Sequence, residues 1–218
     1  MVWFAQALIS GITSFVATNL DDIVILMLFF AQVNTNFRPK HIVAGQYLGF
    51  TVLILASLPG FFGGVIIPKA WIGLLGFVPI VIGVSHLLKQ ESEANQVQAV
   101  SKELSESNSH LPMLSILGNL LAPQTYQVAA VTFANGGDNI GIYVPLFANS
   151  NLATLGIILI VFFLMVGVWC AFAYYLTRHQ KIAYLFTQYG QKIVPFVLIG
   201  LGIYIVIESG TYKLLPWF

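Results

Sequence analysis

The apolar positions of this chain fall into six runs, at roughly 2–33, 42–67, 70–88, 119–148, 152–176 and 193–210. Each has about the 20 residues needed to cross a hydrocarbon core of ~30 Å. Polar breaks separate them: Asn34 to His41 after the first, Pro68-Lys69 after the second, Arg178 to Lys181 after the fifth. The longest hydrophilic stretch, Lys89 to His110, holds four of the eight acids among Ser, Asn and Gln. That composition cannot bury enough surface to fold alone, which makes it a linker. The pattern predicts an all-α membrane protein with six transmembrane helices. It divides into a first three-helix repeat over 1–88, a polar cytoplasmic linker over 89–118 and a second three-helix repeat over 119–218.

Charge sets the orientation. Alternating the loops places Arg38, Lys40, Lys89, Lys102, Arg178, Lys181 and Lys192 on one side and Lys69 and Lys213 on the other. The positive-inside rule then makes the first group cytoplasmic and both termini external. With three spans per half, the second half runs opposite to the first, the inverted repeat of many secondary transporters. The paired Val78-Pro79 and Val194-Pro195 of the third and sixth runs agree with this.

Composition narrows the class further. The chain is 58% hydrophobic and 8% charged, with a mean hydropathy of +0.86, far from the quarter charged of soluble domains. The first residues, Met1 to Gln6, carry no Lys or Arg, so the first run is expected to be retained rather than cleaved. A single cysteine, Cys170, excludes an internal disulfide and any thiolate cluster. No basic stripe with interleaved aromatics is present, so no nucleic-acid partner is expected. The expected partners are the lipid bilayer and a small cation; a homo-oligomer is left open.

The chemistry lies in two of the runs. Phe15 to Ile23 overlays Thr132 to Ile140 without a gap at an offset of 117, matching Ala17/Ala134, Asp21/Asp138, Asp22/Asn139 and Ile23/Ile140. Around these positions stand Thr18, Asn19, Asp21 and Asp22 in the first run and Asn135, Asp138 and Asn139 in the fourth. A carboxylate at the bilayer centre costs roughly 2.5–3.5 kcal/mol, so acids there point to function. All nine Lys and Arg sit in loops or at span ends, which leaves the three aspartates without a fixed counter-charge. Such groups take up a proton or a metal ion. An all-oxygen donor set suits Mn²⁺, Ca²⁺ or Mg²⁺. Gly136-Gly137 is a poor helical pair, and unwinding there would free main-chain carbonyls as further ligands. Both helices are therefore expected to be discontinuous or strongly tilted.

Hydrogen bonding between helices is the competing role for these polar groups, but Asn or Ser would supply it at lower cost than three acids. Glu208, near the outer end of the sixth run, reads as an interfacial residue or a proton relay. Gln46 in the second run is a further polar position able to face the site. The pairs Gly45/Gly49 and Gly60/Gly64 fit close helix packing without chemistry.

The element Thr18 to Asp22, the element Ala134 to Tyr143 and the segment Pro195 to Tyr204 together resemble the cadmium resistance transporter family, within the lysine exporter superfamily. The resemblance covers nearly the whole chain. It implies a multi-pass protein of the prokaryotic cytoplasmic membrane that exports Cd²⁺, an ion of nearly the size of Ca²⁺ that accepts oxygen ligands. The resulting expectation is no enzyme and no resident cofactor, but a divalent cation efflux transporter with H⁺ as counter-ion. Its alternatives are a cationic amino-acid exporter of the same superfamily, a membrane-embedded hydrolase using the Asp pair, and a metal-sequestering membrane protein without transport.

Overall fold

In the computed structural model, residues 2–66, 68–88 and 122–211 are described. The linker expected over 89–118 lies outside the described residues. The described residues form helices and the turns between them. The first run is two helices, α1 (Val2–Asn19) and α2 (Asp22–Ala31), set at 59° across a short break. The second is α3 (Pro39–Ser57) followed by α4 (Pro59–Ile66), where Pro59 takes the first helical position and removes a donor the continuing helix would need. The third is α5 (Lys69–Ile72), a 3-10 turn at Gly73–Gly76 and α6 (Phe77–Leu88). The fourth is α7 (Pro123–Asn135) and α8 (Gly137–Ala148). The fifth and sixth are α9 (Leu152–Thr177) and α10 (Gln180–Glu208).

By length and apolar composition, Pro39–Ile66 and Leu152–Thr177 are each able to cross a membrane, and the bent pair α1/α2 has the composition for a third crossing if its two helices form one span. One boundary differs from expectation. The segment expected as a polar loop up to the sixth apolar run is helical from Gln180 onward. Residues 180–192 lack proline and are mostly adequate helix formers, so polarity there marks the edge of the apolar stretch rather than the end of the helix.

Small residues set the packing. A Cβ on Gly45 would lie 2.6 Å from the Thr125 carbonyl oxygen, and one on Gly49 2.7 Å from that of Ala129, so α3 can lie on α7 only because both positions are glycine. Gly60 and Gly64 do the same for α4 against the backbone of Val144 and Ala148 on α8. The second run thus lies along the fourth, and both numberings rise in the same direction. In the same way α1 runs parallel to α9, through Gly11 against Val161 and Phe15 against Trp169. The contacts of the third run with α10 run the other way: Gly76 of the 3-10 turn meets Gly202, and Gly83 of α6 meets the Pro195 carbonyl.

A buried aromatic cluster of Phe15, Phe50, Tyr143, Phe147 and Phe162 fills the centre. Its ring centroids are 4.6 Å apart for Tyr143 and Phe162 and 5.5 Å for Phe15 and Phe50. The two helix breaks adjoin this cluster.

Candidate functional site

The break after Asn19 contains no glycine, and its cause lies in the side chains. Thr18 and Asn19 both donate to the Phe15 carbonyl, at 3.3 and 2.9 Å, competing with the helix for its acceptors. The indole Nε1 of Trp169 on α9 donates to the Asn19 carbonyl at 2.6 Å, which supplies a partner for a main-chain acceptor at the break. At the second break Gly136 leaves the helical range, and a Cβ there would run into the Leu53 side chain of α3.

The breaks meet face to face. Asn135 Nδ2, at the end of α7, donates to Asp21 Oδ2 at 3.0 Å and to Asp22 Oδ1 at 2.8 Å. Sharing one nitrogen keeps those two carboxylate oxygens within about 5.8 Å of each other. Two oxygens bound to one Ca²⁺ at ~2.3–2.6 Å can be as much as ~5 Å apart, so only a small contraction separates this arrangement from a shared ion. The other Asp22 oxygen, Oδ2, accepts from Gln46 Nε2 at 3.0 Å, and Gln46 Oε1 accepts from Thr132 Oγ1 at 2.6 Å. Asp22, Gln46 and Thr132 are all buried, and the donors that reach Asp22 are amides.

Asp138 is the second residue of α8, in its first turn. Its Oδ1 accepts from the backbone nitrogen of Asn139 at 3.0 Å, and its charge interacts with those of Asp21 and Asp22. Asn139 lies between the halves. In one orientation its amide nitrogen donates to Asn19 Oδ1 at 3.3 Å. In the other it donates to the Thr18 carbonyl at 3.0 Å and to Asp138 Oδ1 at 3.2 Å, which avoids setting oxygen against oxygen. Thr18 Oγ1 and Asn19 Nδ2 converge on the Tyr143 hydroxyl, at 2.7 and 2.9 Å.

The seven site residues of the two repeated elements thus form two neighbouring hydrogen-bonded sets, Asp21, Asp22 and Asn135 in one and Thr18, Asn19, Asp138 and Asn139 in the other, and the electrostatic interaction of Asp138 with Asp21 and Asp22 joins them into one network. Among the described residues no three of His, Cys, Asp or Glu gather into one metal-holding group. What converges is a mixed set of carboxylates, amides and hydroxyls. Glu208 is elsewhere, exposed at the end of α10 on the wall of a separate cavity. Sequence reasoning assigned no role to Tyr143 or Trp169. Tyr143 is four residues after Asn139, on the same helical face, and could have been found that way. Trp169 bonds a main-chain carbonyl at the break, which leaves no mark in side-chain spacing.

Comparison with curated proteins and with solved structures gives no match. The profile of one family, described as cadmium resistance transporter, matches residues 15–218. The match begins at Phe15, the first residue of the repeated element, and takes in both helix breaks and every residue of the network. This chain is a membrane protein that belongs to the cadmium resistance transporter family.

Proposed function

We propose that the protein exports a divalent cation, Cd²⁺ and others of similar demand such as Mn²⁺ or Ca²⁺, through the carboxylate and amide site between the two helix breaks. The observation that carries this is the single Asn135 amide joining Asp21 and Asp22 across the contact between the halves. Two like charges so close in a low-dielectric site repel by several kcal/mol, more than one neutral donor offsets. A divalent ion or a proton resolves the conflict. The same carboxylates are able to hold either, which supports a mechanism that exchanges metal for H⁺.

The architecture we propose is six spans in two inverted three-helix repeats. Parallel contact of the first run with the fifth and of the second with the fourth, and antiparallel contact of the third with the sixth, supports it. The two broken helices meeting at their breaks are the arrangement that gives secondary transporters a midplane site. The cation is cargo, held by oxygen donors from both halves.

The test is uptake into inverted membrane vesicles, with a panel of metals and with or without a pH gradient. Cd²⁺ should accumulate and Mn²⁺ or Ca²⁺ should compete. Cu(I), which selects sulfur ligands, should not. Dissipating the gradient should lower accumulation. Tight binding without flux would replace export by sequestration, and flux indifferent to pH would remove the proton exchange alone.

A further inference from the structure

One face of α1 carries Gln6, Ser10, Ser14 and Thr18 at four-residue steps. Each step advances ~6 Å and turns only ~40°, so the side chains form one slanting row. Burial deepens along it, from an exposed Gln6 through a half-buried Ser10 to fully buried Ser14 and Thr18. Lipid contact would call for apolar groups there. Helix adhesion would give Ser14 a partner, yet its hydroxyl is the one buried side-chain polar atom without a hydrogen bond among the described residues. A lone buried hydroxyl costs about 1–3 kcal/mol, which asks for a use.

Both ends of the row lead somewhere. At the start of α1 it opens into a cavity of about 260 Å³ whose wall includes Gln6, Ser10, Asn149, Asn151, Tyr204 and Glu208. One water needs only roughly 10–15 Å³, so a hydrated cation fits easily. Ser209 Oγ donates to Asn149 Oδ1 at 2.6 Å, which fixes an amide on this wall, and Tyr204 interacts with Ser10 and Glu208. At the other end Thr18 joins Tyr143 and Asn19 in the carboxylate network. Phe15, Tyr143, Phe147 and Phe162 pack ring on ring in the interior, and the complete burial of Ser14 leaves the row closed at that step.

We propose that this cavity is the vestibule connecting the carboxylate site to the face on which α1 begins, and that a divalent cation passes along the Ser10–Ser14–Thr18 row, which is shut at Ser14 in this conformation. The charge rule makes that face external, so the vestibule is the exit. Glu208 supplies the vestibule's negative charge, attracting a cation as it sheds the site's oxygens and regains water. The proposal rests on the export reading and specifies its route.

The test uses the full chain with Cys170→Ala, so that Ser10→Cys is the only thiol. A bulky membrane-impermeant maleimide should label Ser10→Cys from outside intact cells. In inverted vesicles prepared from those cells, Cd²⁺ uptake should fall about tenfold, a barrier increase of ~1.4 kcal/mol. Equilibrium Cd²⁺ binding should stay within about twofold, because Ser10 is not among the site's oxygen donors. Ser14→Leu, filling the constriction, should show the same split between flux and binding. Unlabelled Ser10→Cys, or labelled protein with undiminished flux, would overturn the route while leaving export in place. Absence of flux in the parent protein would overturn export itself, and the route with it.

Discussion

Asp22 is a buried carboxylate whose two oxygens rest on amide nitrogens of Asn135 and Gln46. Two hydrogen bonds to a charged group return ~3–6 kcal/mol together, about the effective penalty of several kcal/mol for burying the ion, so the ionised carboxylate contributes no net stability here. Asp22→Asn should therefore unfold at the same or a higher temperature than the parent in detergent, yet lose the thermal stabilisation that Cd²⁺ gives the parent. An assembly role predicts the reverse: loss of stability with the metal response intact. Asn135→Leu removes the amide that holds Asp21 and Asp22 together and should weaken Cd²⁺ binding by about 10–100-fold, as for other groups that orient metal ligands. A titration showing parent-like affinity would detach Asn135 from the site. At this scale the sequence was informative because intramembrane acids are rare and these recur at matched positions of a repeat. It was silent on Trp169, whose partner is a carbonyl of the broken backbone, and on which of the polar groups touch one another.

The helices themselves are readable as apolar runs, since the bilayer length acts on composition directly. Their breaks are less so. Gly136-Gly137 announces the second, whereas the first, at Asn19–Asp22, depends on side chains that take over backbone hydrogen bonds and on a partner from α9. The polar start of α10 was hidden for another reason: hydropathy reports where the apolar stretch ends and not where helical hydrogen bonding ends. Glycine spacing foretold the contacts of the second run, and the structure says which glycines matter. Gly49→Ala gains up to ~1 kcal/mol of helix propensity, but its Cβ meets the Ala129 carbonyl oxygen at 2.7 Å, and backbone cannot swing away. Overpacking of that kind costs roughly 1–3 kcal/mol, so this variant should melt below the parent. Gly200→Ala, in the interior of α10 with nothing within 4 Å of the new Cβ, should melt slightly above it. Equal shifts for the two variants would mean that α3 does not seat on α7 through bare backbone.

For the molecule as a whole, the direction of the spans follows from two independent lines that meet in one prediction. The first is charge: Arg38 and Lys40 before the second run and Arg178 after the fifth lie at the ends expected to face the cytoplasm. The second is packing: parallel contacts of α1 with α9 and of α3 with α7 put the turn at 32–38 at the opposite end of the molecule from the turn at 149–151. Neither line alone fixes the topology, since charge says nothing about which helices touch and packing says nothing about which end is outside. Together they require Thr35 to be cytoplasmic and Asn151, on the vestibule wall, to be external. Both are exposed, and Cys170 is buried, so single cysteines at these positions in a Cys170→Ala background report cleanly. An impermeant thiol reagent applied to intact cells should label Asn151→Cys, and should reach Thr35→Cys only after the membrane is opened. Labelling of both from outside would refute the opposed turns, and with them the packing register. The reverse pattern would keep the register and invert the protein, turning the vestibule into an entrance on the cytoplasmic side and the proposed exporter into an importer.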